Sequence, residues 1–258
     1  MVKLKVKDVG FSYGSAPILK DLSFEVGASE ILGIVGPNGT GKTTLLRCID
    51  RMLKPTKGSI LIDEREIWEM RGKDMAKQMG YVPQTNPSAF LTTVFDMVLL
   101  GRSPYIMWRS SERDIEEVLE TLSMLEIEDL AMKDFNELSG GQQQKVLIVR
   151  ALAQEPDIIL LDEPTSNLDI KHQLEVMDII KNLVKENGIS AIMAIHDLNL
   201  ASRYADKIIM MKSGEIYAAG DPASVFTPEN IEHVYGVETE VINHERAAYI
   251  LPIRPIRG

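Results

Sequence analysis

GPNGTGKTTLL, running from Gly36 to Leu46, sets glycines, a lysine and threonines directly after the apolar run ILGIV. The spacing fits GxxxxGK[ST], in which glycines let consecutive backbone N–H groups curl around phosphate oxygens with no Cβ in the way. A chance match in a chain of this length has a likelihood of roughly 1% from average residue usage. ILGIV, apolar on both faces, reads as a buried central strand, and the stretch from Thr43 to Met52 reads as a helix closed by KPTKG. Strand, loop and helix are the setting the pattern requires, so a phosphate-bearing ligand is the first candidate. Gly36, Pro37, Asn38, Gly39, Thr40, Gly41, Lys42, Thr43 and Thr44 are the residues expected to cradle it. Lys42 would reach the β- and γ-phosphates, the Thr43 hydroxyl would ligate Mg²⁺, and the helix start would add its positive dipole end.

Composition bounds the alternatives. At 258 residues and 45% hydrophobic, the chain can bury one large core or two modest ones. A net charge of -10 argues against a broad nucleic-acid-binding surface. MVKLKVKDVG alternates charged and apolar residues, unlike a secretory signal. The longest charge-free run, Gln78 to Phe95, carries Pro83, Gln84, Asn86 and Pro87, which no lipid-spanning helix would hold together. The chain is therefore expected to stay in the cytosol and to cross no membrane. The single cysteine, Cys48, cannot pair internally and reads as a small buried apolar residue.

The first sixty residues read mainly as strands. KLKVKDV alternates with period two, LSFEV and ILGIV follow, and KGSILIDEREI resembles a hairpin turning at Asp63 and Glu64. From Asn86 to Gln154 the pattern turns helical. SERDIEEVLETLSML shows Ile115, Val118, Leu119, Leu122 and Leu125 at spacings of three and four, with Ser110 or Ser111 as the cap. DIILLDEP and ISAIMAIHD restore strand character, each followed by a helical segment, and IIMMKSGEIYAAG reads as a hairpin turning at Ser213 and Gly214. A helical insert thus interrupts an α/β core. The tail VINHERAAYILPIRPIRG carries little signal.

A phosphate loop needs a carboxylate on the metal side, and IILLDE supplies Asp162 at a strand end with Glu163 beside it. Asp162 would hold Mg²⁺, and Glu163 would take a proton from the water attacking the γ-phosphate. LSGGQ, from Leu138 to Gln142, has chance odds of roughly a few in ten thousand. With it the chain closely resembles the ATP-binding cassette ATPases, the motor subunits of ABC transporters, over nearly its whole length.

That resemblance implies a P-loop NTPase core of α/β class with an N-terminal antiparallel β subdomain and an inserted helical subdomain. The whole chain would be a single domain: residues 1–85 the β subdomain and first part of the core, 86–154 the helical subdomain, 155–220 the second part of the core, and 221–258 a short C-terminal extension. ATP and Mg²⁺ are the implied ligands. Ser139, Gly140, Gly141 and Gln142 would hold the γ-phosphate of an ATP bound to the opposite subunit, as free N–H groups at a helix start favour anions. Tyr13 in FSYG matches the aromatic that stacks on adenine. Gln84 in YVPQ matches the glutamine that touches Mg²⁺ or the attacking water and hinges the insert. Asp169 in SNLD matches the loop that crosses the dimer interface, and His196 the histidine that senses the γ-phosphate. His172, His233 and His244 lack metal-ligand spacing and read as solvated or packed. Gln143 and Lys145 stand where the family often has arginines, and Asn167 where alanine is frequent.

One copy of each motif implies a homodimer paired head to tail. With no spanning helix of its own, the chain would sit peripherally on the cytoplasmic face of the cell membrane, bound to two separate permease subunits and served indirectly by an extracytoplasmic substrate-binding protein. A DNA-repair-type head usually carries a long coiled coil between phosphate loop and signature. Here roughly ninety residues separate them, without sustained heptads. Ribosome-acting cassette proteins typically carry two cassettes, and this chain has one. TVFDMVLLGRSPY and GDPASVFTPENIEHVYGVE resemble importers of iron-siderophore complexes, haem or cobalamin, with molybdate or tungstate uptake the alternative. Met97 and Met107 are candidates for facing a permease helix.

Overall fold

The computed structural model describes residues 1–84, 92–244 and 247–256. The chain divides into two compact units, one formed by Met1–Glu69 with Ser190–Gly258 and the other by Met70–Ile189. The expected start of the helical insert, at residue 86, lies outside the described residues.

The first unit begins with β1 (Val2–Tyr13) and β2 (Ala16–Gly27), paired antiparallel. Next come β3 (Ile31–Val35), α1 (Lys42–Ile49), β4 (Lys57–Ile62) and the short β5 (Arg65–Glu66). The expected hairpin between β4 and β5 forms, with Asp63 and Glu64 both at positive φ. Together these strands give an antiparallel sheet in the order β2-β1-β4-β5. All five residues of β3 are buried, as a strand flanked on both edges and faces requires.

The second unit contains α2 (Gly72–Gln78), β6 (Met79–Val82), α3 (Val94–Leu99), α4 (Glu112–Met124), α5 (Gly140–Leu152), β7 (Ile158–Asp162) and α6 (Ile170–Asn187). β6 and β7 run parallel, with Val82 opposite Leu161. Ser111 caps α4 through a reciprocal capping box with Asp114. Of the apolar face expected on α4, Val118, Leu122 and Leu125 are buried, but Ile115 and Leu119 lie largely exposed. Beside α4, the buried Arg102 ties several groups: its Nε bonds Asp114 at 3.3 Å, while Nη1 donates to the Ala153 carbonyl at 2.7 Å and to Glu155 at 2.6 Å. Val94, Met97 and Val98 fill the same core, so Met97 packs inward instead of facing a partner, whereas Met107 is 83% exposed.

The chain then returns to the first unit with β8 (Ser190–Ala194), α7 (Leu198–Tyr204), β9 (Lys207–Lys212), β10 (Glu215–Gly220), α8 (Pro222–Val225), α9 (Pro228–Tyr235), β11 (Val237–His244) and β12 (Ala247–Pro255). β3 runs parallel to both β8 and β9, and β10 adds antiparallel through a turn with Ser213 and Gly214 at positive φ. The uninformative tail forms the β11–β12 hairpin. Asn199 on α7 secures it by exchanging two hydrogen bonds with the Ile250 backbone, and Ser202 Oγ accepts from Ala248 N at 2.7 Å.

Asp50, at the C-cap of α1, has its carboxyl pushed up to about 7 by burial. A carboxylate at a helix C-terminus also opposes the dipole. The folded state thus holds the proton more tightly than the unfolded chain, where Asp ionises near ~4. Stability is lost as pH rises through that window and not regained above it. Asp50→Asn should therefore raise the melting temperature at pH 8, by a margin that shrinks on acidification and vanishes near pH ~4; thermal melts across this range check it.

Candidate active site

In the first unit, β3 ends at Val35 and the loop from Gly36 delivers the chain into α1. Gly41 is the N-cap residue with φ 101, and a Cβ there would sit 2.6 Å from Leu19 Cδ2. Both backbone strain and space restrict the position to glycine. The first turn of α1 carries no acidic side chain, so the positive end of its dipole is left uncompensated from within. Lys42 is only 5% exposed, and its Nζ donates to the carbonyls of Gly36 at 2.7 Å and Pro37 at 3.1 Å. Thr40 Oγ1 donates to the same Pro37 carbonyl at 2.9 Å. The loop is therefore wrapped around its own ammonium, with Asn38 and Gly39 at the exposed crest. Tyr13, at the end of β1, is half-exposed and edge-on to the buried Phe11 ring, with centroids 4.9 Å apart. That arrangement leaves an aromatic at the surface, in contrast to a core tyrosine.

His196 follows directly on Ile195, the buried residue after β8, and is itself exposed. Its backbone is fixed from both sides. Ile195 N donates to the Ile34 carbonyl at 3.0 Å, and Asp197 caps α7 by accepting from Asn199 N and Leu200 N. The single thiol, Cys48, is fully buried and pushed up to about 12, which makes it a poor nucleophile.

In the second unit, the parallel pairing of β6 and β7 brings their C-terminal ends together. Asp162 ends β7 at 2% exposure and accepts a hydrogen bond from Tyr81 Oη at 3.3 Å. Glu163 follows with φ 53, a left-handed conformation that a non-glycine residue holds only under constraint. Gln84 Nε2 donates to the Glu163 carboxylate. Gln84 and Glu163 are thus brought together, and the glutamine orients the general-base candidate directly. Tyr81 was not legible as a site residue: it stands three residues before Gln84 in YVPQ, and only strand pairing places it on Asp162.

The signature motif opens α5. Ser139 is the N-cap, its hydroxyl accepting from Gln142 N at 3.4 Å while Gln142 Oε1 accepts from Ser139 N at 3.1 Å. Ser139 and Gly140 are exposed. Asp169 caps α6, and backbone and ring bonds from His172 hold its carboxyl below the usual carboxylate range. Tyr13, the phosphate loop and His196 belong to the first unit; Gln84, Asp162, Glu163, Ser139–Gln142 and Asp169 belong to the second. His233 is exposed and its ring stacks on the exposed Tyr217, with centroids 4.8 Å apart.

A glycine loop closing a buried strand onto a helix, and an acid pair at the end of a second strand, define a nucleotide-hydrolysing P-loop protein. The family model of the ABC transporter matches residues 19–166, more than half of the chain, and the chain belongs to the ABC transporter family as an ATP-binding, ATP-hydrolysing subunit. An uncharacterized ABC transporter ATP-binding protein of Methanocaldococcus jannaschii is 51% identical over 97% of this chain and 98% of its own. The petrobactin import ATP-binding protein FpuD of Bacillus anthracis is 41% identical over 92% of this chain and 88% of its own. Among solved structures, a metal-chelate type ABC transporter in an inward-facing conformation superimposes with a TM-score of 0.86 at 28% identity, covering 100% of this chain and 98% of the other. The resemblance read from LSGGQ and its companion motifs is borne out, as are the ATPase activity and the P-loop NTPase fold.

Because the Lys42 ammonium is the charge at the centre of the loop, Lys42→Ala should weaken ATP binding tenfold or more, on the order of the loss of one charge-assisted contact. Fluorescent-nucleotide titration measures it, with far-UV circular dichroism expected to remain that of the parent. Unchanged affinity would remove Lys42 from the phosphate site.

Proposed function

We propose that the chain is the motor of an importer for a metal chelate of the iron-siderophore or haem class, working as a homodimer on two permease subunits at the cytoplasmic face of the membrane. The observation that carries the reading is the Gln84–Glu163–Asp162–Tyr81 arrangement: two adjacent carboxylates held by two different neighbours and so free to divide two tasks. Lys42 and the loop N–H groups bind the β- and γ-phosphates of ATP, and Tyr13 stacks on the adenine. Glu163, oriented by the Gln84 amide, accepts the proton of the water that attacks the γ-phosphate, and His196 donates a hydrogen bond to that phosphate. The Thr43 hydroxyl, the Asp162 carboxylate and Gln84 would be the oxygen donors for Mg²⁺, hard ligands of the kind it prefers, and the ion would supply charge neutralisation on the phosphates.

The dimer is supported by the edge of the second unit, where Ser139, Gly140, Asp169 and the 77%-exposed Ile170 all face outward. The start of α5, with Gly140 exposed on it, is suited to an anion presented by another chain. Docking to a permease is supported by Leu100, Met107 and Trp108, large apolar side chains exposed in the same unit. None of the described helices is long and apolar enough to cross a membrane, so the translocation path belongs to other subunits. The cargo class rests on the similarity to the petrobactin import protein and to the metal-chelate type transporter. A substrate-binding protein outside the membrane would deliver that cargo without touching this chain.

Glu163→Gln removes the base while keeping shape and hydrogen bonding. Turnover should fall by two orders of magnitude or more, with ATP affinity retained and a stable dimer accumulating in MgATP on size-exclusion chromatography. Hydrolysis near the parent rate would remove Glu163 from its role.

A further inference from the structure

The second unit contains a contact that the catalytic roles leave unused. His172 occupies the first turn of α6, three residues after the cap Asp169. Its backbone N–H donates to Asp169 Oδ1 at 2.9 Å, and its ring Nδ1 meets the same oxygen at 2.7 Å. The other side of the ring lies on the signature motif. A Cβ built on Gly141 would fall 2.6 Å from His172 Cδ2 and 2.9 Å from Cγ. One imidazole therefore spans from the Asp169 carboxylate to the start of α5.

We propose that His172 is a positioning residue that locks the signature turn, Ser139–Gln142, to the Asp169 loop, so that the two surfaces reaching the opposite subunit move as one body. The proposal rests on the dimer reading above. Three features support it. An imidazole has few rotamers and a rigid ring, so it transmits displacement where a flexible chain would absorb it. Gly141 lacks a side chain where the ring needs the space, and this accounts for the second glycine of LSGGQ within its own subunit. A second tie, Lys145 on α5 to Glu175 on α6 at 3.3 Å, keeps the two helices in register beyond the ring. With the ring bonded through Nδ1 to a carboxylate, the Nδ1 proton is held there, and the orientation of both partners is fixed.

The test uses the full chain in the Glu163→Gln background. His172→Ala should weaken ATP-driven dimerisation roughly tenfold by sedimentation equilibrium, while binding of ADP to the isolated chain stays within about twofold, since that ligand uses the phosphate loop and Tyr13 and not the signature turn. His172→Asn, whose amide stands where Nδ1 stood, and His172→Phe, which keeps a ring over Gly141, should each restore part of the loss. Amide hydrogen exchange at Gly140–Gln143 in the monomer gives a readout independent of the dimer, and should rise several-fold in His172→Ala. Dimerisation and exchange both unchanged would overturn the proposal, as would an equal loss of ADP binding and thermal stability in all three variants, the mark of general unfolding. A parent that forms no dimer in ATP would instead sink the dimer reading, with the exchange measurement still deciding whether His172 holds the signature turn.

Discussion

A buried ammonium needs partners before any ligand arrives, and Lys42 finds them in the carbonyls of Gly36 and Pro37. An unpaired charge at that depth would cost several kcal/mol. The loop therefore has to close tightly enough to present its own carbonyls, which only a glycine-rich backbone entering a helix at left-handed φ can do. A phosphate bound there would replace dipoles with full negative charge around an ammonium already in place. Little reorganisation is required of the protein, which is the condition under which electrostatic stabilisation is most effective. The buried β3, flanked by β8 and β9, is the rigid support from which the loop springs.

A common local device, the side-chain helix cap, recurs at other candidate site positions. Ser139 caps α5, Asp169 caps α6 and Asp197, next to His196, caps α7. In each case a polar side chain stabilises the helix start by bonding its first free N–H groups, which fixes the local backbone. Capping and function are coupled, so a substitution at a cap alters both. Glu163 differs, because it follows the end of β7 with a left-handed backbone and its side chain is held by Gln84. Constraint of this kind concentrates where chemistry requires a fixed direction.

The phosphate loop was legible because its glycines, lysine and threonines obey a spacing that local backbone geometry alone enforces. The hairpin turns at Asp63–Glu64 and Ser213–Gly214 and the cap at Ser111 were legible for the same reason. Contacts between residues distant in the chain were not. Tyr81 reaches Asp162 only through strand register, and His172 reaches Gly141 only through the packing of two helices. Helical periodicity marked Ile115 and Leu119 as interior, yet both are exposed while the polar Arg102 and Asp114 are buried, and periodicity carries no information on which polar groups a tertiary ion pair draws inside. The β11–β12 hairpin escaped notice because its outward residues, Tyr249, Leu251 and Ile253, are as apolar as its inward ones, which erases the alternation.

The central claim, that ATP closes two chains head to tail, is open to a direct measurement. Asn38 and Gly140 are both exposed, and Cys48 is buried with a thiol too basic to compete, so cysteines introduced at positions 38 and 140 would be the reactive ones. In the Glu163→Gln chain carrying both Asn38→Cys and Gly140→Cys, a short thiol crosslinker should give a covalent dimer on a denaturing gel only when MgATP is present, and neither single-cysteine chain should do so. Crosslinks confined to one chain, or a dimer that forms equally without nucleotide, would contradict the account.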